Sequence, residues 1–198
     1  MYKFFLLALL TFPACINEEK DILSQEISNW EFKYKGYWYN AQVPGNNFSD
    51  LLKNEIIADP FYANNEDSVS WVSERNWTYR ANFKLSKNKL AKRNQVLFFY
   101  GLDTYAQVFL NDSLILDGDN MFIKWKINVS GILKKENTLL VNFFSINKIE
   151  KEKQAALGYV LPGEGRVFTR KAGFHYGWDW GPKIITSGIW RKVELVTW

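Results

Sequence analysis

Apolar and polar residues alternate along much of the chain beyond residue 30, a pattern typical of strands with one buried face. The clearest example is residues 77–85, where every second residue is apolar and the intervening residues are polar or charged. Shorter segments of the same kind predict strands at 95–102, 106–110, 114–116, 138–144 and 191–196. Asn111-Asp112 joins two of them, since Asn and Asp tolerate the left-handed conformations that a tight hairpin requires.

This succession of short strands and turn residues predicts an all-β fold, an antiparallel β-sandwich or jelly roll, with one or two short helices. One helix is expected at 48–55 with Asn47 as a capping residue. A second is expected at 148–157, because its charged and alanine-rich segment ends at Gly158. We expect one domain, residues 28–198.

Composition supports a globular domain. The 198 residues are 47% apolar and 17% aromatic, and the nine tryptophans exceed what a core of this size normally needs, which predicts a ring-lined surface. The formal net charge of +4 comes from dispersed lysines. Because no nucleic-acid-binding motif accompanies them, we expect a solvated surface and no nucleic-acid partner.

The N-terminus predicts export. Lys3 precedes an apolar run at 4–10, which is too short to cross a bilayer of roughly 30 Å and is typical of a signal peptide, residues 1–14. Cys15, the single cysteine, follows a small residue as in a bacterial lipoprotein, where its thiol would be lipidated. The preceding Phe12-Pro13 departs from the usual lipoprotein pattern, so an ordinary signal peptide with an incidental cysteine is the alternative.

Residues 15–27 are then expected to form a polar tether. The expected location is the periplasm or the outer membrane of a bacterium, with membrane contact only through the lipid anchor. In a eukaryote the chain would instead be secreted or lysosomal, and four acceptor triplets for N-glycosylation would become relevant: Asn47, Asn76, Asn111 and Asn128. With one cysteine, no disulfide can form within the chain.

An aromatic run at 174–182 carries the most chemical information. It combines the only histidine, His175, with Trp178, Asp179 and Trp180, and it ends in Gly-Pro. Trp rings offer flat apolar faces, and a neighbouring carboxylate can accept hydrogen bonds from hydroxyl groups lying on those faces. A sugar presents an apolar C–H face edged with hydroxyls, so the run predicts a carbohydrate ligand.

Other chemistry finds less support. One His and one Cys cannot form a zinc cluster, and neither a calcium loop nor a phosphate-binding loop is present, so no metal or cofactor is expected. Glycoside hydrolysis needs two carboxyl groups, about 5 Å apart in retaining enzymes. Glu31, Glu55 and Glu164 are candidates by proximity to aromatic residues, but the sequence pairs no two of them across a cleft.

Several segments, in order along the chain, resemble the N-terminal domain of the β-mannosidases of glycoside hydrolase family 2. The segments are 58–66, Trp71, 77–80, 101–106, 108–111, 119–122, 170–172, 175–182 and 187–191. Each match alone is weak. Together they cover about Trp30 to Trp198, and the Trp-Asp-Trp-Gly-Pro element separates mannosidases from other members of the family.

The resemblance implies a galactose-binding-like jelly roll that leads a longer polypeptide. In such enzymes a (β/α)₈ barrel carries two catalytic glutamates, which act by a retaining mechanism on terminal non-reducing β-mannosyl residues. This chain reaches Trp198 without that barrel, so no catalytic residue and no catalysis is expected in it alone. Its partners would be a terminal β-mannoside and the missing C-terminal barrel.

The resemblance also assigns roles within the aromatic run. Trp178 would wall the sugar subsite and Asp179 would accept hydrogen bonds from hydroxyls, while His175 and Trp180 would support them. From the residues alone, Asp179 could equally cap a turn. Two other functions stay open: a free-standing carbohydrate-binding module on the cell surface, and a structural jelly roll that stabilises a neighbouring barrel.

Overall fold

The structure, a computed structural model, describes residues 21–198; the predicted signal peptide and Cys15 lie outside these residues. Its two antiparallel sheets contain ten strands: β1 Leu23–Glu26, β2 Trp30–Tyr34, β3 Tyr37–Asn40, β4 Trp77–Lys84, β5 Gln95–Phe99, β6 Ala106–Leu110, β7 Ser113–Gly118, β8 Trp125–Asn128, β9 Glu136–Phe143 and β10 Val193–Thr197. One sheet has the order β1-β10-β5-β8 and the other β3-β2-β4-β9-β6-β7. Strands distant in sequence are therefore neighbours in both sheets, and the predicted jelly-roll β-sandwich is confirmed.

The core lies between the inward faces of the sheets. The predicted inward face of β4 is buried at Trp77, Tyr79, Ala81 and Phe83. This strand pairs along its whole length with β9, whose Phe143 lies opposite Trp77. The alternation of residue type thus sets which side of the strand faces the core.

The folded domain begins earlier than the sequence predicted. Residues 23–26, assigned to the polar tether, form β1 and pair with β10, with Leu23 opposite Thr197. Ile27 behind them is 2% exposed. β1 is an edge strand with alternate residues exposed, so its polar composition is compatible with a sheet.

Four α-helices are present rather than one or two: α1 Asn47–Lys53, α2 Asn65–Val69, α3 Lys87–Ala91 and α4 Ile146–Leu157. Short 3-10 helices cover Ser70–Val72, Glu164–Phe168 and Gly173–Tyr176. The two unpredicted helices, α2 and α3, have five residues each, too few to show a helical period in sequence. α4 ends at Gly158 in the left-handed conformation, as predicted. No helix among residues 21–198 is long and apolar enough to cross a membrane.

The cap of α1 differs by one residue from the prediction. Asn46, not Asn47, is the N-cap. In a capping box, its Oδ1 accepts from the backbone N–H of Ser49, and its own backbone N–H donates to the Ser49 hydroxyl. Asn47 is fully buried, and its Oδ1 accepts from the backbone N–H of Ser187 at 2.9 Å. A glycan on Asn47 is therefore incompatible with the folded domain.

Candidate functional site

Trp178, Asp179 and Trp180 lie on a two-residue β-turn. The backbone N–H of Trp178 donates to the Gly181 carbonyl and the reverse bond is also made, both at 3.1 Å. Asp179 and Trp180 therefore occupy the tip of the turn. Since the backbone closes it, and the Asp179 carboxylate has no hydrogen-bond partner among residues 21–198, Asp179 is not needed there as a cap.

The turn projects its rings into solvent. Trp178 is 68% exposed and Trp180 is 84% exposed, and their rings meet edge to face with centroids 6.5 Å apart. Asp179, between them in sequence, is also exposed. Large exposed rings are costly to leave in water, so their clustering beside an exposed carboxylate makes this turn a candidate binding surface.

A cleft of about 610 Å³ lies beside the turn. Most of its wall is apolar, with aromatic rings from two distant segments of the chain; it is lined by Phe61, Phe174, His175, Trp178, Gly181, Pro182, Ile184 and Thr186. Phe61 comes from the segment before α2, and it and Phe174 are about three-quarters exposed. A concave apolar surface with few polar groups has the usual character of a ligand site.

A buried charge pair lies behind the cleft. The ammonium of Lys171 donates to both carboxylate oxygens of Asp103, and the two side chains are 0% and 3% exposed. Thr104 and Thr186 also donate their hydroxyls to Asp103, at 2.6 and 2.8 Å. Burial lowers the pKa of Lys171, and the charge of Asp103 opposes that effect. With its hydrogen bonds satisfied, the pair fixes residues 171 and 186, at either end of the aromatic loop.

His175 continues this network towards the cleft. Its Nδ1 lies 3.2 Å from the Ile184 carbonyl and 3.3 Å from the Thr186 hydroxyl oxygen. Burial and the positive charge of Lys171 lower the pKa of His175, partly offset by Asp103, so the ring is neutral at neutral pH. These contacts hold the His175 ring against Ile184 and Thr186, and its support of a sugar site stays a prediction.

Two further contacts tie the loop to helices. The backbone N–H of Lys183 donates to the carboxylate of Glu66, on α2, at 2.6 Å. The hydroxyl of Tyr176 donates to Glu150, a buried carboxylate on α4. Burial and the Glu150 carboxylate raise the pKa of Tyr176. The aromatic loop is thus fixed on both sides although its rings are exposed.

The structure does not bring Glu31 or Glu55 to this site. Glu31 forms an ion pair with Arg80 at 2.7 Å on the sheet, and Glu55 lies on the surface just after α1. Glu164 begins a 3-10 helix. Among the described residues, the lining of the cleft contains no Asp or Glu. Residues 21–198 also contain no cluster of three or more side chains suited to a metal ion.

Sequence reasoning missed the residues that hold the loop. Asp103 and Lys171 fall in two of the segments that carried the family resemblance, yet no role was assigned to them. Nothing in the sequence around Thr186 indicated a role for it. Lysine is rarely buried, and Lys171 directly follows Arg170, so the residue pattern gives no signal that this side chain is buried with a partner.

Comparisons with known proteins identify the family of this domain. The family model described as the glycosyl hydrolase 2 galactose-binding domain-like family matches residues 25–191. β-Mannosidase B of Thermothelomyces thermophilus is 38% identical over 178 residues, which are 84% of this chain and 21% of that protein. The β-mannosidase of Rattus norvegicus is 34% identical over 166 residues, 78% of this chain and 19% of that protein.

Solved structures show the same fold. The crystal structure of the β-D-mannosidase from Dictyoglomus thermophilum matches with a TM-score of 0.85 and 41% identity, over 90% of this chain and 23% of that one. An exo-chitosanase from Amycolatopsis orientalis matches with a TM-score of 0.63 at 16% identity, over 87% of this chain and 20% of that one, a likeness of fold alone.

The chain spans about a fifth of the length of the curated relatives that it matches. Its similarity to β-mannosidases extends over 84% of its own residues in the sequence match and 90% in the structural match. On this evidence of sequence and fold, the chain belongs to the galactose-binding domain-like family of glycosyl hydrolase 2, with β-mannosidases as its homologues.

Proposed function

We propose that this chain is the N-terminal domain of a retaining exo-β-mannosidase, an enzyme that hydrolyses terminal non-reducing β-D-mannose residues. The domain contributes substrate contacts and not the catalytic carboxylates. The observation that carries this proposal is the exposed turn, which presents the Trp178 ring and the Asp179 carboxylate together on a rigid support.

The turn has the groups that a mannosyl ring requires. The Trp178 face can stack on the C–H face of the sugar, and the two oxygens of Asp179 can each accept a hydroxyl hydrogen. Hydrogen bonds to a charged acceptor are stronger than neutral ones. A site built around such bonds discriminates against epimers with a displaced hydroxyl, because their binding leaves the carboxylate unpaired.

Catalysis is assigned to a part of the polypeptide beyond this domain. A retaining glycosidase needs two carboxyl groups about 5 Å apart. Asp179 is one carboxylate without a second in the cleft lining, and Glu31 is engaged by Arg80. The β-mannosidases that match this chain are about four times as long, which leaves ample length for a catalytic domain.

The test uses the polypeptide that the gene encodes around these residues. Asp179→Asn should lower kcat/KM for an aryl β-mannoside by about 10- to 150-fold, the factor expected for one hydrogen-bond set to a charged group. Asp117→Asn is the matched control, because Asp117 is also exposed but lies on the edge strand β7.

Three results would change the proposal. Equal kcat/KM for Asp179→Asn and the control would remove the subsite role of Asp179. Hydrolysis by residues 1–198 alone would contradict the assignment of catalysis to another domain. A gene that stops at codon 198, with mannose binding by calorimetry, would favour the free-standing carbohydrate-binding module.

We also propose export as a lipoprotein, supported by Lys3, the apolar run at 4–10 and Cys15. Cys15→Ser should abolish incorporation of a labelled fatty acid and move the protein from the membrane fraction to the soluble fraction. Unchanged labelling and fractionation would contradict lipidation at this cysteine.

A further inference from the structure

The outer edge of the His175 ring is free at the cleft. Its Nδ1 faces Ile184 and Thr186, and His175 is one of the residues that line the cleft. Among residues 21–198 its Nε2 has no hydrogen-bond partner, and this atom is not among the buried polar atoms left without one. In an imidazole ring the two nitrogens point away from each other, so Nε2 is directed away from the network behind the cleft.

The hydrogen-bond partners fix which nitrogen carries the proton. The Ile184 carbonyl can only accept, so Nδ1 must donate to it. Thr186 already donates its hydroxyl hydrogen to Asp103, and its oxygen can share the Nδ1 proton. In the neutral ring Nε2 is then a bare acceptor. The ring of Phe174 covers His175, with centroids 4.3 Å apart, and holds the ring in this orientation.

The cleft has room for a sugar beyond the one on the turn. Its volume of about 610 Å³ falls in the range of roughly 300–1,000 Å³ typical of sites for ligands of disaccharide size. Trp178 belongs both to the turn and to the cleft, so the two surfaces are continuous. Phe61 adds a second ring face, and His175 lines the same cleft as both rings.

We propose that this cleft holds the second sugar of the substrate, the unit to which the terminal mannose is linked, and that Nε2 of His175 accepts a hydrogen bond from one of its hydroxyls. This inference rests on the proposed sugar contact of Trp178 and Asp179. It makes His175 a specificity-determining contact rather than a support alone.

The test uses the polypeptide that the gene encodes around these residues, labelled with nitrogen-15 at histidine and tryptophan. The ring signals of His175 in a long-range nitrogen–proton spectrum are identified by their loss in His175→Asn. The free protein should show a protonated Nδ1 and a bare Nε2. Sulfur-linked analogues of methyl β-mannoside and β-linked mannobiose, which a glycosidase does not hydrolyse, are then titrated, each to roughly ten times a millimolar Kd. The Trp178 indole signal, identified by its loss in Trp178→Phe, reports sugar on the turn.

We expect the Trp178 signal to shift with both ligands and the Nε2 signal to shift with mannobiose alone. A Trp178 shift without an Nε2 shift on mannobiose would overturn the second-sugar contact and leave the proposed function standing. If neither signal shifts with either ligand, both proposals for this chain are overturned. A proton on Nε2 in the free chain would also overturn the inference.

Two substitutions separate contact from support. In His175→Asn the amide nitrogen takes the place of Nδ1 and can still donate to Ile184, but no acceptor remains at the position of Nε2. In His175→Gln the amide oxygen reaches the position of Nε2. We expect His175→Asn to weaken mannobiose binding about five-fold, the ratio for one neutral hydrogen bond, and His175→Gln to retain more of it. The opposite ranking would show that His175 acts only as a support.

A second pair of variants tests the wall of the cleft. Phe61→Ala should weaken binding of mannobiose but not of methyl β-mannoside, since Phe61 is 74% exposed and contributes little to the core. Phe122→Ala is the control, because Phe122 is 62% exposed and lies outside the cleft. Equal affinities of these two variants for mannobiose would contradict a second sugar against Phe61.

Discussion

Replacement of Lys171 by methionine tests whether the buried charge pair stabilises the domain. The substitution keeps most of the side-chain volume and removes the ammonium. Asp103, 3% exposed, would then keep only the hydroxyl donors of Thr104 and Thr186. Removing one partner of a buried pair leaves a buried charge uncompensated, which costs about 3–5 kcal/mol. For a chain of this size that loss lowers Tm by roughly 6–20 °C.

The free energy of unfolding is measured by urea titration with tryptophan fluorescence. Lys84→Met is the control: the Lys84–Glu136 pair is 77% and 68% exposed, so no measurable change is expected. Asp103→Asn combined with Lys171→Met should recover most of the loss, because the neutral amide leaves no charge buried. A stability of Lys171→Met equal to that of Lys84→Met, or a double variant no better than the single one, would refute this reasoning.

Two further predictions concern the core. Burial raises the pKa of Asp50 from 3.8 to about 6, against the opposing hydrogen bond from Tyr79. The free energy of unfolding should therefore fall by about 3 kcal/mol as pH rises from about 4 to about 6. Asp50→Asn should remove this pH dependence in urea titrations. A Cβ on Gly101 would lie 2.4 Å from Trp190 Nε1, so Gly101→Ala should lower the free energy of unfolding by about 1–3 kcal/mol. Gly173→Ala is the control, because nothing lies within 4 Å of its Cβ and Tm should stay unchanged.

Contrast between the two faces explains the prediction of β4, whose residues alternate in type over eight positions. It does not explain every case, because β5, Gln-Val-Leu-Phe-Phe, was predicted from an almost continuous apolar run, and β2, Trp-Glu-Phe-Lys-Tyr, alternates but was not among the predicted strands. β3, Tyr-Trp-Tyr-Asn, has three adjacent aromatics and so no contrast, and β8 has only four residues. β1 is polar because its alternate residues face solvent. These strands form because they pair with neighbouring strands, and such pairing cannot be seen in the sequence of a single segment.

The error at the cap of α1 has the same origin. Asn46 and Asn47 are equally suited to cap a helix. What separates them is Ser187, distant in sequence, whose backbone N–H requires an acceptor that Asn47 supplies from a fully buried position. A local rule cannot choose between two adjacent asparagines when the choice depends on a residue 140 positions away.

The candidate site was likewise predictable from the sequence only in part. Trp178 and Asp179 are adjacent, so the sequence could place them on one surface. The network behind them could not be predicted, since Asp103 lies 68 residues from Lys171 and 83 from Thr186. Side chains that recognise a ligand can thus be contiguous, while those that hold them in place are brought together by the fold.

The tryptophans show how composition and structure together locate the site. The excess of nine tryptophans predicted a ring-lined surface, yet two of them, Trp30 and Trp77, are buried and five are half-buried. The remaining two, Trp178 and Trp180, are the exposed ones, and both belong to one four-residue turn. The composition therefore reflects packing at most positions, where aromatic residues fill the space between the sheets and under the loops.

At the turn, packing does not explain the rings, because their faces meet solvent while the backbone beneath them is fixed by a buried charge pair. Exposed aromatic faces on a turn whose backbone is already hydrogen-bonded would lose little conformational entropy on binding, and this is the physical basis of the proposed sugar contact at the turn beside His175.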